Sequence, residues 1–580
     1  MHNNMEAPNN IISKSNIISE KDFKDRVGAI FKLVSDALAK TLGPFGKTTI
    51  IEQFGEMHVT KDGWSVLKGI NFEDNTDNNI LYLLTKIASQ VVVKVGDGST
   101  SSIVAADEIL KQFRRSDIID IDFGPREFTE TLNRLVIKLV DAIERKSIKI
   151  NNEDFNEERD RNIYNLAMIS TNGNKTISEM ISRVYSETGN PSISFVKGSY
   201  AEHEVEIING YKSDIRLLDG IYINNENGIR TETRPMILMF DHRVELEHYM
   251  DIIVPTRAQC VANGSILYVI APHYSDAALQ RIKNETNLYF KASQGRFQDV
   301  YCRASIISNY TRQLYSDLAC LLGATIVDTS KVEEFIKEED AEKRISMIIE
   351  CLGTCGTLSI DIKDALFSDF FNKDEKLFEV MMADAVSRYN EAKERFARLD
   401  VVSPELVDIK NRISKLKCKM GIIKVGGVST LEQTANYDLV DDAVKACENA
   451  FTYGYNIGCN LIIPITISEI LTKESFTEKE ERILRMIGSA FIHVYMRIIE
   501  NKYSQVEGKV NIDELVQKMD DIINGSIERQ LPFDLTTNEY STKIINPTHT
   551  DIEILKAASS MVSLLITSNQ YLKIQLPQHR

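Results

Sequence analysis

The absence of a linker is the feature that most limits how this chain can fold. Its 580 residues include 28 glycines and 12 prolines, but these are scattered, and no Ser/Pro/Gly-rich tether or tandem repeat interrupts the chain. A chain of this length predicts three or four domains of ~150 residues, each able to bury its own core. We therefore expect compact domains joined by tight crossings of the backbone.

Charge and cysteine content exclude several classes of protein. With 68 basic and 84 acidic side chains the net charge is −16, which disfavours broad nucleic-acid binding because that binding requires Lys and Arg to neutralise phosphates. The eight cysteines form no C-x-x-C pair, so we expect reduced thiols and no structural zinc site. Met1–Asn16 lacks the features of a signal peptide, and the apolar runs are shorter than the ~20 residues that span a bilayer. These observations predict a cytoplasmic protein without a membrane or nucleic-acid partner.

Hydrophobic periodicity predicts mostly helices at both ends of the chain and mixed α/β structure between them. The predicted helices are Phe23–Thr41, Asn79–Val95, a helix beginning at Ser99, Leu377–Leu399 and Pro404–Lys417, of which the last two should form an antiparallel hairpin. The predicted strands are Thr48–Phe54, His58–Thr60, Ile266–Ala271, Ala324–Val327 and Tyr571–Leu576, and a tight turn is expected at Lys61-Asp62-Gly63.

Three glycine-bearing turns within sixty residues have groups suited to binding phosphate. In the strongest, Gly96–Ser101, small residues would let backbone N–H groups approach an anion at a helix N-terminus, and Asp97 offers a hard oxygen ligand for Mg²⁺. Thr41–Thr48 has two residues between its glycines where a P-loop needs four, and it follows a helix, so it is not a Walker A motif. In the third, Thr60–Gly63, a Lys-Asp pair could face phosphate and water. Taken singly, each is also an ordinary helix cap, helix stop or hairpin turn.

These turns also resemble those of the group I chaperonins, the GroEL family. The family's T-L-G-P-K-G-R resembles residues 41–47, its T-K-D-G residues 60–63, and its G-D-G-T-T-T residues 96–101. Further likenesses are T-I-S-A-N at 168–172, I-K-V-G at 423–426, V-E-D-A-L at 440–444 and L-D-P-T-K at 545–549. The resemblance is specific in the first hundred residues and around Asp442, and it is looser between about 240 and 410. The resemblance extends from about Ile18 to Pro577. The catalytic acids are kept while other positions differ from the family, which suits a divergent chaperonin encoded by a bacteriophage.

The resemblance implies an ATP-hydrolysing ring chaperone with a three-domain α/β and α+β chaperonin fold. Its domains would be a mainly helical equatorial domain (1–146 and 453–580), a small intermediate domain (147–209 and 420–452) and an α/β apical domain (210–419). It implies a homo-oligomeric ring, of seven-fold symmetry in this family, that takes non-native polypeptides as substrate. Whether a GroES-like co-chaperonin is needed stays open.

The resemblance also assigns roles to individual residues. Asp442 and Asp62 would be catalytic, with Asp442 orienting the attacking water, and Asp97 would hold Mg²⁺. The residues expected to contact the nucleotide are Thr41, Leu42, Gly43, Pro44, Lys61, Gly98, Ser99, Thr100, Ser101, Ile169, Cys459, Asp534 and Asn546. The residues expected to bind substrate in the apical domain are Leu217, Ile221, Tyr222 and Leu279, with Ile252 and Ile253 on the helix between.

Several positions depart from the family. Its A-G-G-G turn is Ile457-Gly458-Cys459-Asn460 here, the aspartate of L-D-P is Asn546, and Asp534 replaces an asparagine. The returning apical hinge, Gly-Gly in the family, is Cys418-Lys419, opposite Gly210. The apical groove has Lys283 and Asn284 where valines are usual. We therefore expect hydrolysis to be kept, nucleotide affinity to be altered, and the apical swing to be restricted.

Two other functions compete with this interpretation. One is a scaffold or structural ring with the same fold and lost or weak ATP turnover, which Cys459 and Asn460 motivate. The other is an unrelated P-loop kinase, against which the glycine spacing argues.

Overall fold

A computed structural model describes the chain from residue 16 to residue 573, except residues 19, 54–55, 121–122, 151–156, 189–192, 199–200, 225–227, 294–296, 397–403, 504–511 and 569–570. The first fifteen residues and the last three residues of the strand predicted at Tyr571–Leu576 lie outside this description.

Twenty helices follow one another along the described chain. They are α1 (Glu20–Ala39), α2 (Gly63–Gly69), α3 (Asn75–Val95), α4 (Ser99–Arg115), α5 (Pro125–Lys146), α6 (Glu157–Ser170), α7 (Lys175–Thr188), α8 (Leu246–His248), α9 (Val254–Ala262), α10 (Asp276–Ser293), α11 (Asn309–Leu322), α12 (Thr329–Lys337), α13 (Ala341–Ile349), α14 (Glu375–Phe396), α15 (Pro404–Leu416), α16 (Thr430–Tyr453), α17 (Ile462–Lys473), α18 (Glu478–Tyr503), α19 (Ile512–Arg529) and α20 (Thr548–Thr567). A π-helical turn, Tyr249–Ile253, joins α8 to α9.

The strands of the described chain are short. They are β1 (Asn16–Ile18), β2 (Thr49–Gln53), β3 (Glu56–Thr60), β4 (Ile193–Lys197), β5 (Glu204–Ser213), β6 (Arg216–Leu217), β7 (Arg230–Thr233), β8 (Met236–Met239), β9 (Arg243–Val244), β10 (Leu267–Ala271), β11 (His273–Tyr274), β12 (Asp299–Arg303), β13 (Gly353–Thr354), β14 (Thr357–Ile360), β15 (Ala365–Ser368), β16 (Lys419–Val425), β17 (Tyr455–Ile457), β18 (Phe533–Asp534), β19 (Glu539–Tyr540), β20 (Ile545–Pro547) and β21 (Tyr571–Lys573).

The chain divides into two compact units. One comprises residues 1–182 and 438–580, and the other residues 183–437. The first unit is therefore assembled from two separate stretches of chain, which accounts for the absence of a linker in the sequence. The division into equatorial, intermediate and apical domains at the residues given above stays a prediction.

The first unit is a helical assembly around one large core. Helices α1, α3, α4, α5, α18 and α20 pack on one another. The apolar stripe predicted for α1 is confirmed, since Val27, Phe31, Val34 and Leu38 are buried in this core, and α1 ends before Gly43 as expected. Among the described residues of this unit, four two-stranded ribbons accompany the helices: β1 with β21, β2 with β3, β17 with β20, and β18 with β19.

The second unit contains two mixed sheets. A six-stranded sheet has the order β4-β16-β5-β15-β14-β7, and a five-stranded sheet has the order β13-β8-β10-β12-β6 with parallel pairing of β8, β10 and β12. The predicted hairpin is confirmed, because α14 packs on α15. A bidentate ion pair joins Arg412 of α15 to Asp317 of α11 at 2.8 and 2.9 Å, both side chains being buried.

Two local predictions were wrong. Lys61-Asp62-Gly63 is not a hairpin turn, because Asp62 caps α2 and the chain continues as a helix. Ala324–Val327 is not a strand, since Val327 forms only an isolated bridge with Phe240. Strand β10 occupies Leu267–Ala271 as expected and is fully buried, as the central strand of a parallel arrangement requires.

Candidate functional site: three converging loops

The three glycine-bearing loops of the sequence meet in the first unit. A Cβ atom placed on Gly63 would lie 1.8 Å from Oγ1 of Thr100 and 3.3 Å from Oγ1 of Thr41. Contacts this short leave no space for a side chain, so the start of α2 approaches both other loops as bare backbone. The loops therefore form one site, although each taken singly has an ordinary structural explanation.

The N-terminus of α4 is the part of this site best suited to an anion. Its N-cap is Gly98, which has φ +101° and supplies no side-chain hydrogen bond, whereas the neighbouring helices α2 and α3 are capped by Asp62 and Asp74. The first N–H groups of this 17-residue helix thus lack a side-chain acceptor. A phosphate placed there would accept those N–H groups and face the positive end of the helix dipole.

Around this terminus the predicted phosphate contacts differ in exposure. Ser99 and Thr100 are buried in the first turn, and Ser101 is half-buried. Lys61 is exposed, so its ammonium group can reach phosphate charge at the edge of the site. Pro44, on the facing loop, is also exposed. A ligand entering from solvent would therefore pass Lys61 and Pro44 before it reached the buried hydroxyl groups of the helix end.

Three carboxyl groups face this site. Asp62 accepts hydrogen bonds from the N–H groups of Trp64 and Ser65 at 3.1 and 2.8 Å, which fixes its orientation as the cap of α2. Asp97 follows α3 and accepts the N–H of Gly98; the residue is accessible to solvent, although protein surrounds its carboxyl group. Asp442 projects from α16 and is half-buried.

The carboxyl groups perturb one another. Burial first, and then the charges of Asp97 and Asp62, raise the pKa of Asp442 to about 9, and the opposing effect of Lys445 is smaller. Burial also raises the pKa of Asp97, with a further contribution from Asp62, against the hydrogen bond from Gly98. Lys445 is itself paired with Asp441 at 2.8 Å. The three carboxyl groups therefore cannot all ionise together near neutral pH unless a cation neutralises them.

This donor set fits one kind of metal ion. Among the described residues no three His, Cys, Asp or Glu side chains converge closely enough to hold a metal by themselves. Mg²⁺ is commonly held by one or two carboxylates together with substrate phosphates and water. Asp97, exposed and next to the free end of α4, is the carboxylate placed for that arrangement.

The first loop is held by a residue that the sequence did not reveal. The side-chain amide of Asn501, buried in α18, donates to the carbonyl oxygens of Ala39 and Leu42 at 2.8 and 2.9 Å. Thr41 Oγ1 donates to Leu38 at 2.8 Å, and Gly43 turns the chain with φ +76°. No local sequence pattern marks Asn501 of α18 as a partner for the end of α1, because the two are far apart in the chain.

The departures from glycine at residues 459 and 460 leave the turn intact. Cys459 and Asn460 adopt φ +59° and +56°, the left-handed conformation that glycine takes most easily. Asparagine tolerates this conformation better than most residues, and a cysteine there costs on the order of 1 kcal/mol. The backbone of the turn is thus preserved at these positions, at a cost in stability.

The remaining nucleotide candidates cluster near this turn, with one exception. Asn546 lies on β20, which pairs with β17, and Asp534 accepts hydrogen bonds from Thr536 in the turn after β18. The carboxyl groups of Asp551 and Asp534, after burial, contribute to a raised pKa of the Cys459 thiol, so all three are close together. Ile169, at the end of α6, is exposed and has no direct part in the convergence of the loops.

The apical candidates are mostly buried. Leu217 and Tyr222 lie in the core of the second unit, and Ile221 and Leu279 are half-buried against that core. Ile252 and Ile253 are fully buried. The sequence pattern predicted apolar residues here, but it did not distinguish a core face from a surface.

Exposed apolar side chains are found next to these residues instead. Leu246 and Met250, one turn apart on the segment from α8 into the π-helical turn, are 38% and 44% exposed. Val261 on α9 and Leu288 on α10 are also exposed, and α8 packs on α10. We call these four residues the α8–α10 surface.

The predicted hinge residues are hydrogen-bonded to each other in the second unit. The N–H of Gly210, in β5, donates to the carbonyl of Cys418 at 2.6 Å, just before β16 pairs with β5. Cys418 has φ +52°. The non-glycine residue thus adopts the left-handed conformation rather than avoiding it.

Known proteins resemble the chain in sequence and in fold. The profile of the TCP-1/cpn60 chaperonin family matches residues 34–258, which include all three loops. Two proteins named chaperonin GroEL, from Orientia tsutsugamushi and its strain Boryong, are each 24% identical, covering 93% and 96% of this chain and 90% and 94% of their own.

The solved structure of the chaperonin gp146 from bacteriophage EL 2 (Pseudomonas aeruginosa), in the presence of ATP-BeFx, superposes with a TM-score of 0.71. It is 18% identical and covers 96% of this chain and 98% of its own. A second crystal form of gp146 gives a TM-score of 0.65. This likeness shows the chaperonin fold over nearly the whole chain.

Residues 34–258 match the TCP-1/cpn60 chaperonin family, and nearly the whole chain has the chaperonin fold. The resemblance to the group I chaperonins and the chaperonin fold are thereby confirmed. No helix within the described residues has the length and apolar character needed to cross a membrane.

Proposed function

We propose that this chaperonin binds and hydrolyses ATP at the three converging loops and uses the cycle to assist protein folding inside a ring. The observation that carries the proposal is the uncapped N-terminus of α4 facing Asp62, Asp97 and Asp442. Such an arrangement suits phosphoryl transfer, which depends on positioning and charge neutralisation more than on covalent chemistry. The experiment is steady-state ATP hydrolysis by the purified full-length protein, with and without Mg²⁺.

Each part of the site has a separate role in this proposal. The N–H groups at the start of α4, with Ser99, Thr100 and Ser101, bind phosphate oxygens, and Lys61 meets phosphate charge from the edge. Asp442 holds and orients the attacking water, and Asp62, fixed as the cap of α2, lies near the terminal phosphate. Cys459, Asp534 and Asn546 lie on the nucleoside side.

Mg²⁺ would be held by Asp97, and when bound it would neutralise phosphate charge and relieve the repulsion among the carboxyl groups. Asp97 is suited to this because the residue is accessible to solvent and its backbone connects α3 directly to the phosphate-binding turn.

A scaffold ring without ATP turnover is the alternative, and it was motivated by Cys459 and Asn460. Both residues keep the left-handed backbone of the turn, so the replacement of glycine does not prevent the turn from forming. Comparing the rate of ATP hydrolysis of the wild type with that of Asp442→Ala separates the two functions. A scaffold ring would hydrolyse ATP no faster than this variant.

For the substrate, we propose non-native polypeptides held on the α8–α10 surface rather than on Leu217 and Tyr222. Large contiguous apolar patches are rare on monomeric soluble proteins and mark interaction sites, which is the role proposed for these four residues. Leu246 and Met250 are spaced one helical turn apart, so an extended apolar segment could contact both.

Replacing Met250 with Glu should weaken capture of a denatured test protein by about tenfold, because a charge in the contact both removes apolar burial and must be desolvated. Capture is measured as co-sedimentation of the denatured protein with the chaperonin. Val380→Glu is the matched control, since Val380 is exposed on α14 of the same unit. Undiminished capture by the folded Met250 variant would show that clients bind elsewhere.

For assembly, we propose that the ribbon of β2 and β3 contacts a second copy of the chain. Ile50 pairs with Val59 in the ladder, and Met57 lies two residues away on the same face; all three are more than half exposed. An isolated two-stranded ribbon is marginally stable, and an open apolar strand edge favours pairing with another chain.

The double substitution Ile50→Lys with Val59→Lys should therefore convert rings into single subunits or small oligomers, because two charges would be buried in the contact. Negative-stain electron microscopy counts the rings and gives their symmetry, which we expect to be seven-fold. Val93→Lys, on the highly exposed outer face of α3, is the control. Intact rings from the double variant would place the contact elsewhere.

The wider cycle follows from these parts. ATP binding and hydrolysis would shift the ring between capturing and enclosing states through movement of the intermediate and apical domains, with Gly210 and Cys418 as hinge residues. The protein would act in the cytoplasm, of the host cell if it is phage-encoded. The predicted groove is only half apolar, and a GroES-like partner would bind to that groove. The same capture assay, with the partner in place of the denatured protein, measures whether it binds.

A further inference from the structure

One buried carboxyl group near the nucleotide candidates has no role in the function proposed so far. Asp551, in the first turn of α20, is fully buried. The side-chain amides of Asn460 and Asn546 each donate to its Oδ1 at 2.7 Å. Its Oδ2 is buried without a hydrogen-bond partner among the described residues.

The position of Asp551 relates it to the phosphate-binding end of α4. A Cβ atom on Gly98 would lie 2.5 Å from Cγ1 of Ile554, so α20 touches the start of α4 at that residue. Ile554 is three residues after Asp551, and residues three apart on a helix lie on the same face at a spacing of about 5–6 Å. Asp551 is therefore about one helical turn from the phosphate loop, within the length of a nucleoside.

The hydrogen bonds of Asp551 fix the orientation of two side-chain amides. An asparagine side chain can present either its NH₂ group or its oxygen to a ligand, and neighbouring groups decide which. Because Asp551 Oδ1 is an acceptor, Asn460 and Asn546 must direct Nδ2 toward it. This holds whether Asp551 is ionised or protonated, since a proton would reside on Oδ2.

The two asparagines differ in what they can then offer. Asn460 is buried, and its left-handed backbone is part of the turn after β17. Asn546 is half-buried, so its oxygen is the acceptor that remains accessible to a ligand. The groups of a nucleotide that donate hydrogen bonds to such an acceptor are the ribose hydroxyls and the exocyclic amine of the base.

We infer that Asp551 is a positioning residue that holds Asn546 with its oxygen outward, where it accepts hydrogen bonds from the ribose hydroxyls of the bound nucleotide. Asp551 is about one helical turn from the phosphate loop. In a bound nucleotide the ribose lies nearer to the phosphates than the base does, so the ribose hydroxyls, rather than the amine of the base, are the donors expected at Asn546. The inference rests on the proposed ATP site. It predicts that this chaperonin distinguishes ribonucleotides from nucleotides lacking the sugar hydroxyls.

The test compares the binding of ATP and of 2′,3′-dideoxy-ATP to the full-length protein by isothermal titration calorimetry. We expect the wild type to bind ATP about tenfold more tightly than the dideoxy analogue. In Asp551→Leu, which has no acceptor, the amide of Asn546 is free to rotate and the preference should fall below about twofold. Asp551→Asn should keep most of it, because an asparagine oxygen can replace Oδ1.

A purely structural role for Asp551 would weaken both nucleotides equally, so an unchanged preference in folded Asp551→Leu overturns the inference. Equal loss of preference in the Leu and Asn variants overturns it too. If the wild type binds neither nucleotide, it is the proposed function that fails.

A swapped pair provides a second test in case Asp551→Leu does not fold. Asn546→Asp alone places two carboxyl groups in contact and should weaken ATP binding at least tenfold at neutral pH. Adding Asp551→Asn restores one donor and one acceptor, and we expect affinity within about threefold of the wild type. A double variant as weak as Asn546→Asp alone would contradict the coupling of the two residues.

Discussion

Replacing Asp442 with Ala should lower the rate of ATP hydrolysis at least 100-fold while leaving nucleotide affinity nearly unchanged. The carboxyl group is held by α16 in a cleft shared with Asp62 and Asp97, which makes it a candidate to orient water rather than to bind phosphate. Loss of one positioned general base typically costs 10²–10⁴-fold in rate. Steady-state phosphate release measures the first quantity, and calorimetric ATP binding measures the second.

Asp441→Ala is the matched control for this variant. Asp441 is the preceding residue on the same helix, is similarly half-buried, and pairs with Lys445 in the adjacent turn. Its loss removes a carboxyl group without removing the proposed water-binding group, so turnover should change less than about threefold. Equal background rates for the wild type and Asp442→Ala would exclude the enzyme and favour the scaffold ring.

Replacing Asp97 with Ala should abolish Mg²⁺-dependent turnover and weaken binding of the Mg–ATP complex at least 100-fold. A magnesium ion loses its protein ligand in this variant, and the phosphates lose the charge neutralisation that the ion supplies. In the absence of Mg²⁺ the effect should reverse, since removing a carboxylate reduces repulsion of the nucleotide. Binding measured with and without Mg²⁺ therefore identifies Asp97 as a metal ligand rather than a structural residue.

Lys47→Ala is the control that also tests the kinase alternative. Lys47 is exposed and lines a separate cavity with Lys40 and Arg497, in a loop that lacks the spacing of a P-loop. We expect its loss to change ATP affinity less than about threefold. A P-loop kinase predicts the reverse order, with Lys47→Ala severe and Asp97→Ala mild.

Local patterns in the sequence predicted three helices of the first unit, α1, α3 and α4. The apolar period of α1, its end before Gly43, and the start of α4 at Ser99 all depend on residues near one another in the chain. The hairpin of α14 and α15 was predicted for the same reason. Helix α2 was missed, because a Lys-Asp-Gly sequence is as common in a turn as before a helix.

The candidate site could be predicted only in part, because its members are distant in sequence. The resemblance, rather than the residues alone, brought Asp442 into the set with Asp62 and Asp97. Asn501 and Asp551, which hold the first loop and the Asn546 amide, were not predicted, since a polar residue on a buried helix face carries no local signal of its partner. Burial of Leu217 and Tyr222 likewise depends on the assembled sheet of the second unit.

Refolding of a denatured enzyme by the purified ring tests the central proposal most directly. The yield of active enzyme is measured with ATP and Mg²⁺, without nucleotide, and with Asp442→Ala in place of the wild type. We predict that only the wild type with ATP and Mg²⁺ raises the yield above spontaneous refolding, and that Asp442→Ala captures the enzyme without releasing it folded. A wild-type ring that binds ATP but gives the same yield with and without it would contradict the proposed function.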